Sequence, residues 1–474
     1  MENPTEKILF VDLDGTYTKT DLLYENFLVA FKLNPLIIFK CLQWLLKGKA
    51  HLKQRLSELV DLDISYLPLN QEFVSFLKEE KEKGRSIYLA TASTEKFAKS
   101  IVEQSDLFDG YIASCSHYNL KGHAKLEKIN QISPQFAYAG NDIIDFTLFE
   151  HTNESYLVNP TPKALNRSRL TSVTKTFDVN KFQIDPWIKQ LRIYQWLKNL
   201  LIFVPLVVSG NFAELENILL SVVAFLAFSL LASSTYILND LMDLESDRHH
   251  PRKRFRPIAA GEISIVDAIF VGAFLLFTPL LMATFLSFDF LLVLLAYLSL
   301  TLLYSFKIKQ YIGMDVLVLA LLYTIRIIAG AVAIDVLTSF WLLAFSIFIF
   351  LSLALVKRCS EIRSLETEGK SSAKGRNYMV QDYAVLKSFG VSSAMLSVLM
   401  FCFYINNNVL INQYQKPDLL WLIVPGLCYW LMHMWIKTHR GEMHDDPIIF
   451  SLKDKGSLLT VGFCGFIAIV AQIL

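Results

Sequence analysis

From about residue 190 onward the chain is a succession of apolar runs about 20 residues long, the length a helix needs to cross a bilayer. Nine such runs are readable, at 193–209, 217–238, 265–285, 288–306, 315–334, 339–356, 385–404, 418–436 and 456–473. They account for a 474-residue composition that is 53% hydrophobic and only 19% charged, against about 25% in soluble chains. The loops between them are asymmetric. Loops 240–264, 307–314, 357–384 and 437–455 hold 17 Lys or Arg, whereas the alternate loops hold one, Lys416. The positive-inside rule therefore puts the long polar loops and the N-terminus on the cytoplasmic side and the C-terminus outside. A plasma (inner) membrane location is expected. The start, MENPTEKILFVDLDGT, has no basic segment followed by an apolar one, so no signal peptide is expected. A net charge of +1 supplies no field to attract nucleic acid. The six cysteines show no CxxC spacing and are expected to be reduced thiols.

The first 185 residues read differently. KILFVDLDG, RSIYLATAS and QFAYAGND are short apolar runs ending in small or polar residues, with helical stretches such as NQEFVSFLKEEKEKG between them. Alternating strands and helices predict a parallel α/β sheet, whose ligands sit at the carboxyl ends of the strands. An apolar helical insertion, LLYENFLVAFKLNPLIIFKCLQWLL, interrupts the pattern and is broken by Lys32 and Pro35. It reads as a helical cap over the site, within reach of the membrane surface, rather than as a span. The expected domains are 1–155 (cap about 20–80), a linker at 156–188 rich in Ser, Thr and Pro, and a membrane domain at 189–474.

DLDGT follows the first strand directly, so Asp12 and Asp14 can face one pocket, one attacking phosphorus and the other handling a proton, both near Mg²⁺. An Asp-Gly turn that merely ends a strand is the plainer alternative. Thr91 can donate its hydroxyl to a phosphate, Lys121 or Lys125 can neutralise one, and Asp142 and Asp145 can complete the metal site. This ordered series resembles the haloacid dehalogenase (HAD) superfamily over about residues 7–160. The resemblance implies that Asp12 is the nucleophile, Asp14 the general acid/base, Thr91 the phosphate binder and Lys125, in preference to Lys121, the lysine. The chain departs from the family in Asn141, which stands where an acid often follows the glycine. This leaves a phosphate-binding domain without turnover as the alternative to a phosphatase.

The membrane half carries NDLMDLESD. On a continuous helix Asp240, Asp243 and Asp247 share a face, and three carboxylates there repel one another unless cations lie between them. Mg²⁺ suits such oxygen ligands together with substrate phosphates. RHHPRKRFRPIAAG follows, whose Lys253 and Arg256 can hold phosphate oxygens or simply satisfy the positive-inside bias. NDxxDxxxD followed by HPxKxxRPxAxG resembles the UbiA superfamily of intramembrane prenyltransferases, an all-α nine-helix fold, over about 188–474. Further segments agree: Lys198 and Asn199 in RIYQWLKN, Tyr304 and Lys307 in YSFKIK, Asp315 and Arg326. Family members that use prenyl diphosphates carry DxxxD in the loop at 357–384. This chain has instead Lys357, Arg358 and Glu361, then Arg376. With GEMHDDPIIFSLKD at 441–454, that resembles the polyprenyl-phosphate phosphoribosyltransferase branch.

The resemblance implies a Mg²⁺ site at Asn239, Asp240, Asp243 and Asp247 that holds the diphosphate of phosphoribosyl pyrophosphate (PRPP), with Asp240 and Asp243 catalytic. It further implies a polyprenyl phosphate acceptor positioned by Lys357, Arg358 and Arg376. A fused phosphatase would then remove the 5′-phosphate of the product. Two alternatives stay open: prenyl transfer to an aromatic or other small acceptor, and a membrane-anchored phosphate sensor.

Overall fold

The computed structural model describes residues 8–115, 118–177, 184–367, 369, 377–406, 414–443 and 446–473. The chain forms two compact units. One comprises Met1–Leu191 with Tyr236–Gly272, the other Arg192–Thr235 with Ala273–Leu474.

The first unit is built on six parallel strands: β1 (Ile8–Val11), β2 (Ile87–Thr94), β3 (Gly110–Ser114), β4 (Phe136–Gly140), β5 (Glu154–Val158) and β6 (Lys175–Phe177). Their order is β3-β2-β1-β4-β5-β6. Both neighbours of β1 are parallel to it, with Val11 opposite Leu89 on one side and Ala139 on the other. The chain thus winds one way from β1 to β3 and the other way from β4, and the crevice at such a reversal is where α/β sheets bind ligands. Leu9, Val11, Leu89 and Ala139 pack in one apolar layer, and Phe10, Ala90, Phe136 and Tyr138 in the other. Burial on both faces explains why these strands read as unbroken apolar runs.

Helices α1 (Leu22–Leu33), α2 (Ile37–Leu46) and α3 (Lys49–Leu59) form the inserted cap. Asp21 caps α1 by accepting from the Leu23 N–H at 2.8 Å. The cap ends earlier than expected, because α4 (Gln71–Glu82) buries Phe73 and Leu77 in the sheet core. Helices α5 (Glu95–Gln104), α6 (His123–Ile132), α7 (Phe146–Phe149), α8 (Pro162–Ser168) and α9 (Ile184–Leu191) complete the N-terminal stretch. The expected linker at 156–188 differs most from the structure. It begins inside β5 and supplies α8, β6 and α9; its strand segments, Tyr156–Val158 and Lys175–Phe177, are only three residues each, too short to stand out as apolar runs.

In the second unit, residues Ile193–Phe203 run as a 3-10 helix into α10 (Val204–Val208). The long helices are α11 (Leu215–Met242), which continues into the first unit, α13 (Ile265–Leu286), which starts there, α14 (Phe288–Phe306), α15 (Met314–Ala333), α16 (Phe340–Thr367), α17 (Tyr383–Ile405), α18 (Ile423–His439) and α20 (Lys455–Ile473). Between them lie the short α12 (Leu244–His249) and α19 (Pro447–Ser451). Among the described residues eight helices are long and apolar enough to span a membrane. A ninth arises only if the broken stretch Ile184–Val208 is one span. Small residues set the helix spacing, as in other membrane bundles. A Cβ on Gly330 would fall 2.0 Å from the Ile202 carbonyl oxygen, and one on Gly390 would fall 2.1 Å from the Trp435 ring.

Candidate active-site clusters

At the carboxyl ends of β1 and β4 the first unit opens into a cavity of about 1530 Å³, lined by Asp12, Asp14, Lys53, Lys121, Lys125, Asn141, Asp142 and Asp145. Asp12 follows β1, and its Oδ1 accepts from the Lys125 Nζ at 2.9 Å. Lys125, 3% exposed, also donates to the Tyr138 hydroxyl at 2.8 Å, which donates to Asp145 Oδ1 at 3.0 Å. Lys121, by contrast, is exposed on the cavity rim. Asp14 Oδ1 accepts from the Leu22 N–H at 3.0 Å, so the first turn of α1 starts on it, and its Oδ2 accepts from the Ser93 hydroxyl at 2.7 Å. Burial, aided by the Asp21 carboxylate and opposed by Lys53, pushes Asp14 up to about 7. That is a carboxyl able to carry a proton near neutrality.

Two expectations change here. Thr91 is fully buried and does not line the cavity. Its Oγ1 accepts from the Ser93 N–H at 2.9 Å, so it shapes the end of β2, and Ser93 is the hydroxyl beside Asp14. Asp145 is occupied by structure. Its Oδ2 accepts from the N–H groups of Asn141 at 3.0 Å and Asp142 at 2.9 Å, and its Oδ1 from Tyr138. Burial and the nearby Asp12 push it up to about 6. Asn141 covers the DLDGT loop so closely that a Cβ on Gly15 would meet its amide nitrogen at 2.2 Å. Asp142 sits at the cavity edge, where its Oδ1 accepts from the Ile143 N–H at 2.7 Å. Asp12, Asp14, Asn141 and Asp142 line the cavity with carboxylate or amide oxygens, and of these Asp14, like Asp145, already has both oxygens hydrogen-bonded.

The acidic segment 239–247 also belongs to the first unit. It is not one helix. α11 stops at Met242 and Asp243 is the N-cap of α12, although Asp243 N–H still reaches Asn239 O at 2.9 Å and Asp247 N–H reaches Asp243 O at 2.8 Å. Asp240 and Asp247 are buried, and Asp243 is half-buried. A cation already bridges the first two. Arg256 Nη1 lies 2.9 Å from Asp240 Oδ1 and 2.6 Å from Asp247 Oδ2, and Lys253 Nζ lies 3.6 Å from Asp247 Oδ1. Gln190 donates to Asp240 Oδ2 at 2.8 Å. Arg256 and Lys253 thus neutralise the carboxylates here, a partner that neither reading of the sequence, phosphate binding or positive-inside bias, had given them. Asp247 Oδ1 is buried without a hydrogen bond, and burial raises its carboxyl against Arg256 and Lys253. A buried carboxylate oxygen that has a distant ammonium group at 3.6 Å but no hydrogen bond fits a divalent cation. Among the described residues, however, no three His, Cys, Asp or Glu side chains already converge as a metal cage, in either set.

The second unit gathers its polar residues into three clusters. Lys198 Nζ lies 2.6 Å and Lys357 Nζ 3.4 Å from Asp446 Oδ2. Burial would raise Asp446, but the two ammonium groups outweigh it and hold the carboxyl below its ordinary value. Arg358 Nε lies 2.6 Å from Asp315 Oδ2. Its other nitrogens pair with Glu361 and donate to the Tyr304 hydroxyl at 3.0 Å, while the Tyr378 hydroxyl donates to Asp315. Arg326 donates to Asn199 Oδ1 at 2.7 Å and to the Tyr297 hydroxyl at 3.2 Å, and Asn199 donates to Ser229 at 2.9 Å. Arg326 and Asn199 therefore tie helices together, the commoner role of buried polar groups in a bundle. Lys307 is exposed at the end of α14. Arg376 lies outside the described residues. Asp446, Tyr378, Tyr138, Ser93 and Lys53 were not singled out from the sequence. Asp446 lies in the GEMHDDPIIFSLKD segment already noted, where the Asp-Pro step at 446–447 is also an N-cap pattern.

Among the described residues, eight membrane-capable helices, with an acidic segment at the end of one, define an integral membrane protein. Residues 201–453 match the UbiA prenyltransferase family, and the chain belongs to it. The protein y4nM of Sinorhizobium fredii, described as uncharacterized, is 36% identical over 453 residues, 95% of this chain and 88% of that protein. A decaprenyl-phosphate phosphoribosyltransferase of Mycolicibacterium smegmatis is 36% identical over 200 residues, 41% of this chain and 63% of that protein. A solved UbiA homolog from Archaeoglobus fulgidus, bound to GPP and Mg²⁺, aligns with 60% of this chain and 99% of its own at 18% identity and a TM-score of 0.46.

Proposed function

We propose that the chain is a Mg²⁺-dependent membrane transferase that moves 5-phosphoribosyl from PRPP to a polyprenyl phosphate. We further propose that its N-terminal sheet, a HAD-type phosphatase, removes the 5′-phosphate of the lipid product. The observation that carries the first part is the basic cluster Lys198–Lys357–Asp446. It has two lysines for one carboxylate, one of them, Lys357, opening the loop at 357–384 that lacks DxxxD, and relatives named decaprenyl-phosphate phosphoribosyltransferases support it.

In this reading Asp240, Asp243 and Asp247, with Asn239, would hold Mg²⁺, which would neutralise the diphosphate leaving group. The C1–O bond of the ribose breaks, diphosphate departs with both electrons, and a lipid phosphate oxygen forms the new bond to C1. Arg256 and Lys253, which pair with Asp240 and Asp247 here, would be the cations within reach of the diphosphate oxygens. Lys198 and Lys357 hold the acceptor phosphate, and Arg358, the residue after Lys357, is held by Asp315 and Glu361 and braces that end of α16. Charge-assisted contacts of this kind are the strong ones for phosphate. In the sheet, Asp12 attacks the 5′-phosphorus, Asp14 protonates the leaving ribose oxygen, and water then hydrolyses the aspartyl-phosphate with Asp14 accepting its proton. Lys125 orients Asp12, and Asp12, Asp14, Asn141 and Asp142 are the oxygens for Mg²⁺. The loop-charge asymmetry supports a cytoplasmic sheet on the plasma membrane.

The test is the purified chain in detergent with Mg²⁺, polyprenyl phosphate and ribose-labelled PRPP. Label should enter the organic phase with wild type and not with Asp243→Asn. Consumption of a labelled prenyl diphosphate with an aromatic acceptor, and no ribose transfer, would favour the ordinary prenyltransferases. For the phosphatase, Asp12→Asn should leave the 5′-phosphate on the lipid product; an unchanged 5′-phosphate content would refute it.

A further inference from the structure

Helix α2 carries more apolar surface than its own unit covers. Ile37 and Cys41 turn inward with Leu52, Leu56 and Val60, and Trp44 packs on that cluster. The remaining faces present Ile38, Phe39, Leu42, Leu45 and Leu46, with Phe39 62% and Leu46 90% exposed. An exposed apolar patch of this kind marks an interaction surface. Its charge is one-sided. Between Glu25 and Glu58 the chain has no acidic residue, yet it carries Lys32, Lys40, Lys47 and Lys49, all exposed. Basic residues around an apolar helical face are complementary to anionic lipid headgroups over hydrocarbon.

The hairpin is also fastened to a membrane span. α1 holds Glu25, which pairs with Arg248 at 2.7 Å, six residues past the end of α11. Leu28, Val29 and Lys32 of the same helix line a groove with Leu241 and Met242, the last residues of that span. At ten residues α2 is far too short to cross a bilayer. We propose that the α1–α2 hairpin is an interfacial anchor: Phe39, Leu42 and Leu46 enter the lipid and the four lysines bind anionic headgroups. This would hold the cavity of the sheet at the level from which a lipid-linked phosphate is presented.

The full-length protein in vesicles, with a photoreactive group in the lipid tail, tests this without any turnover. Trypsin cuts at Lys32, Lys40 and Lys47, so residues 33–40 and 41–47 are released as separate peptides. Both should carry several-fold more lipid adduct than the sheet-borne peptide 86–96, and more in vesicles with phosphatidylglycerol than in pure phosphatidylcholine. Leu42→Glu with Leu46→Glu, at solvent-facing positions, should lower that labelling several-fold. Labelling no higher than that of 86–96 would overturn the proposal, as would lysine cross-links joining 33–47 to the same segment of a second copy. Adduct yields indifferent to the double substitution would overturn it too.

Discussion

Glu25 and Arg248, 223 positions apart, form a buried two-pronged ion pair, Nη2 to Oε1 at 2.7 Å and Nη1 to Oε2 at 3.0 Å. Thr20 donates to the same Glu25 oxygen at 2.6 Å, and Arg248 Nε donates to the Ala259 carbonyl at 3.2 Å. The pair joins the cap that starts on Asp14 to the helix that holds Asp247. Removing one partner of a buried pair strands the other charge and costs about 3–5 kcal/mol, whereas replacing both with apolar groups is often neutral. Glu25→Ala should therefore lower the thermal unfolding midpoint clearly, and Glu25→Leu with Arg248→Met should recover most of the loss. A single variant as stable as wild type would remove the pair from the framework.

In the sheet, Asp12, Lys125, Tyr138 and Asp145 form one hydrogen-bonded chain. Asp12→Asn should abolish hydrolysis of p-nitrophenyl phosphate by the full chain with Mg²⁺. Asp14→Asn should slow it by about 10²–10⁴-fold, the usual range for losing a general acid. Tyr138→Phe cuts the chain in the middle and should cost about tenfold or more, the equivalent of one hydrogen bond to a charged group. If Tyr138→Phe proves silent, Lys125 is held by Asp12 alone.

Arg256 occupies the carboxylates that the proposed transferase gives to Mg²⁺. Arg256→Ala should bind Mg²⁺ more tightly than wild type when no diphosphate is present, because a competing cation is gone. The same variant should bind PRPP more weakly, by about tenfold or more, for want of a charge-assisted contact. Isothermal titration of the metal and of PRPP separates the two effects. Weaker Mg²⁺ binding in the variant would make Arg256 a structural brace only.

Lys198→Met and Lys357→Met should each raise KM for polyprenyl phosphate about 10- to 100-fold, with kcat changed far less. PRPP saturation should be nearly untouched. The reverse pattern, a raised KM for PRPP alone, would move these lysines to the donor.

The strands ending at Val11, Thr94 and Gly140 and most of the spans were legible because burial on two faces, or in lipid, writes long apolar runs. What failed to show has physical reasons. β5 and β6 are short, and their ESYLV and KTF carry polar residues at sheet edges and ends, so 156–177 looked like a linker. Ile193–Phe203 has the composition of a span but runs as a 3-10 helix. Lys53 and Ser93 reach Asp14 only through tertiary folding of the cap and β2. No spacing in the chain tells that Arg256 folds back between Asp240 and Asp247.

Residues 236–272 lie in the membrane half of the chain but fold with the N-terminal sheet. Gly261, at φ +68°, lies so near the cap base that a Cβ there would meet Lys19 Cβ at 2.8 Å. A gene cut after residue 188 would thus divide a folding unit: the front product would expose Glu25 without its arginine, and the rear product would expose Arg248 without its glutamate. Coexpressed fragments should reassociate before either reaches its native stability, so fusion here supplies local concentration for a fold that needs both ends of the message.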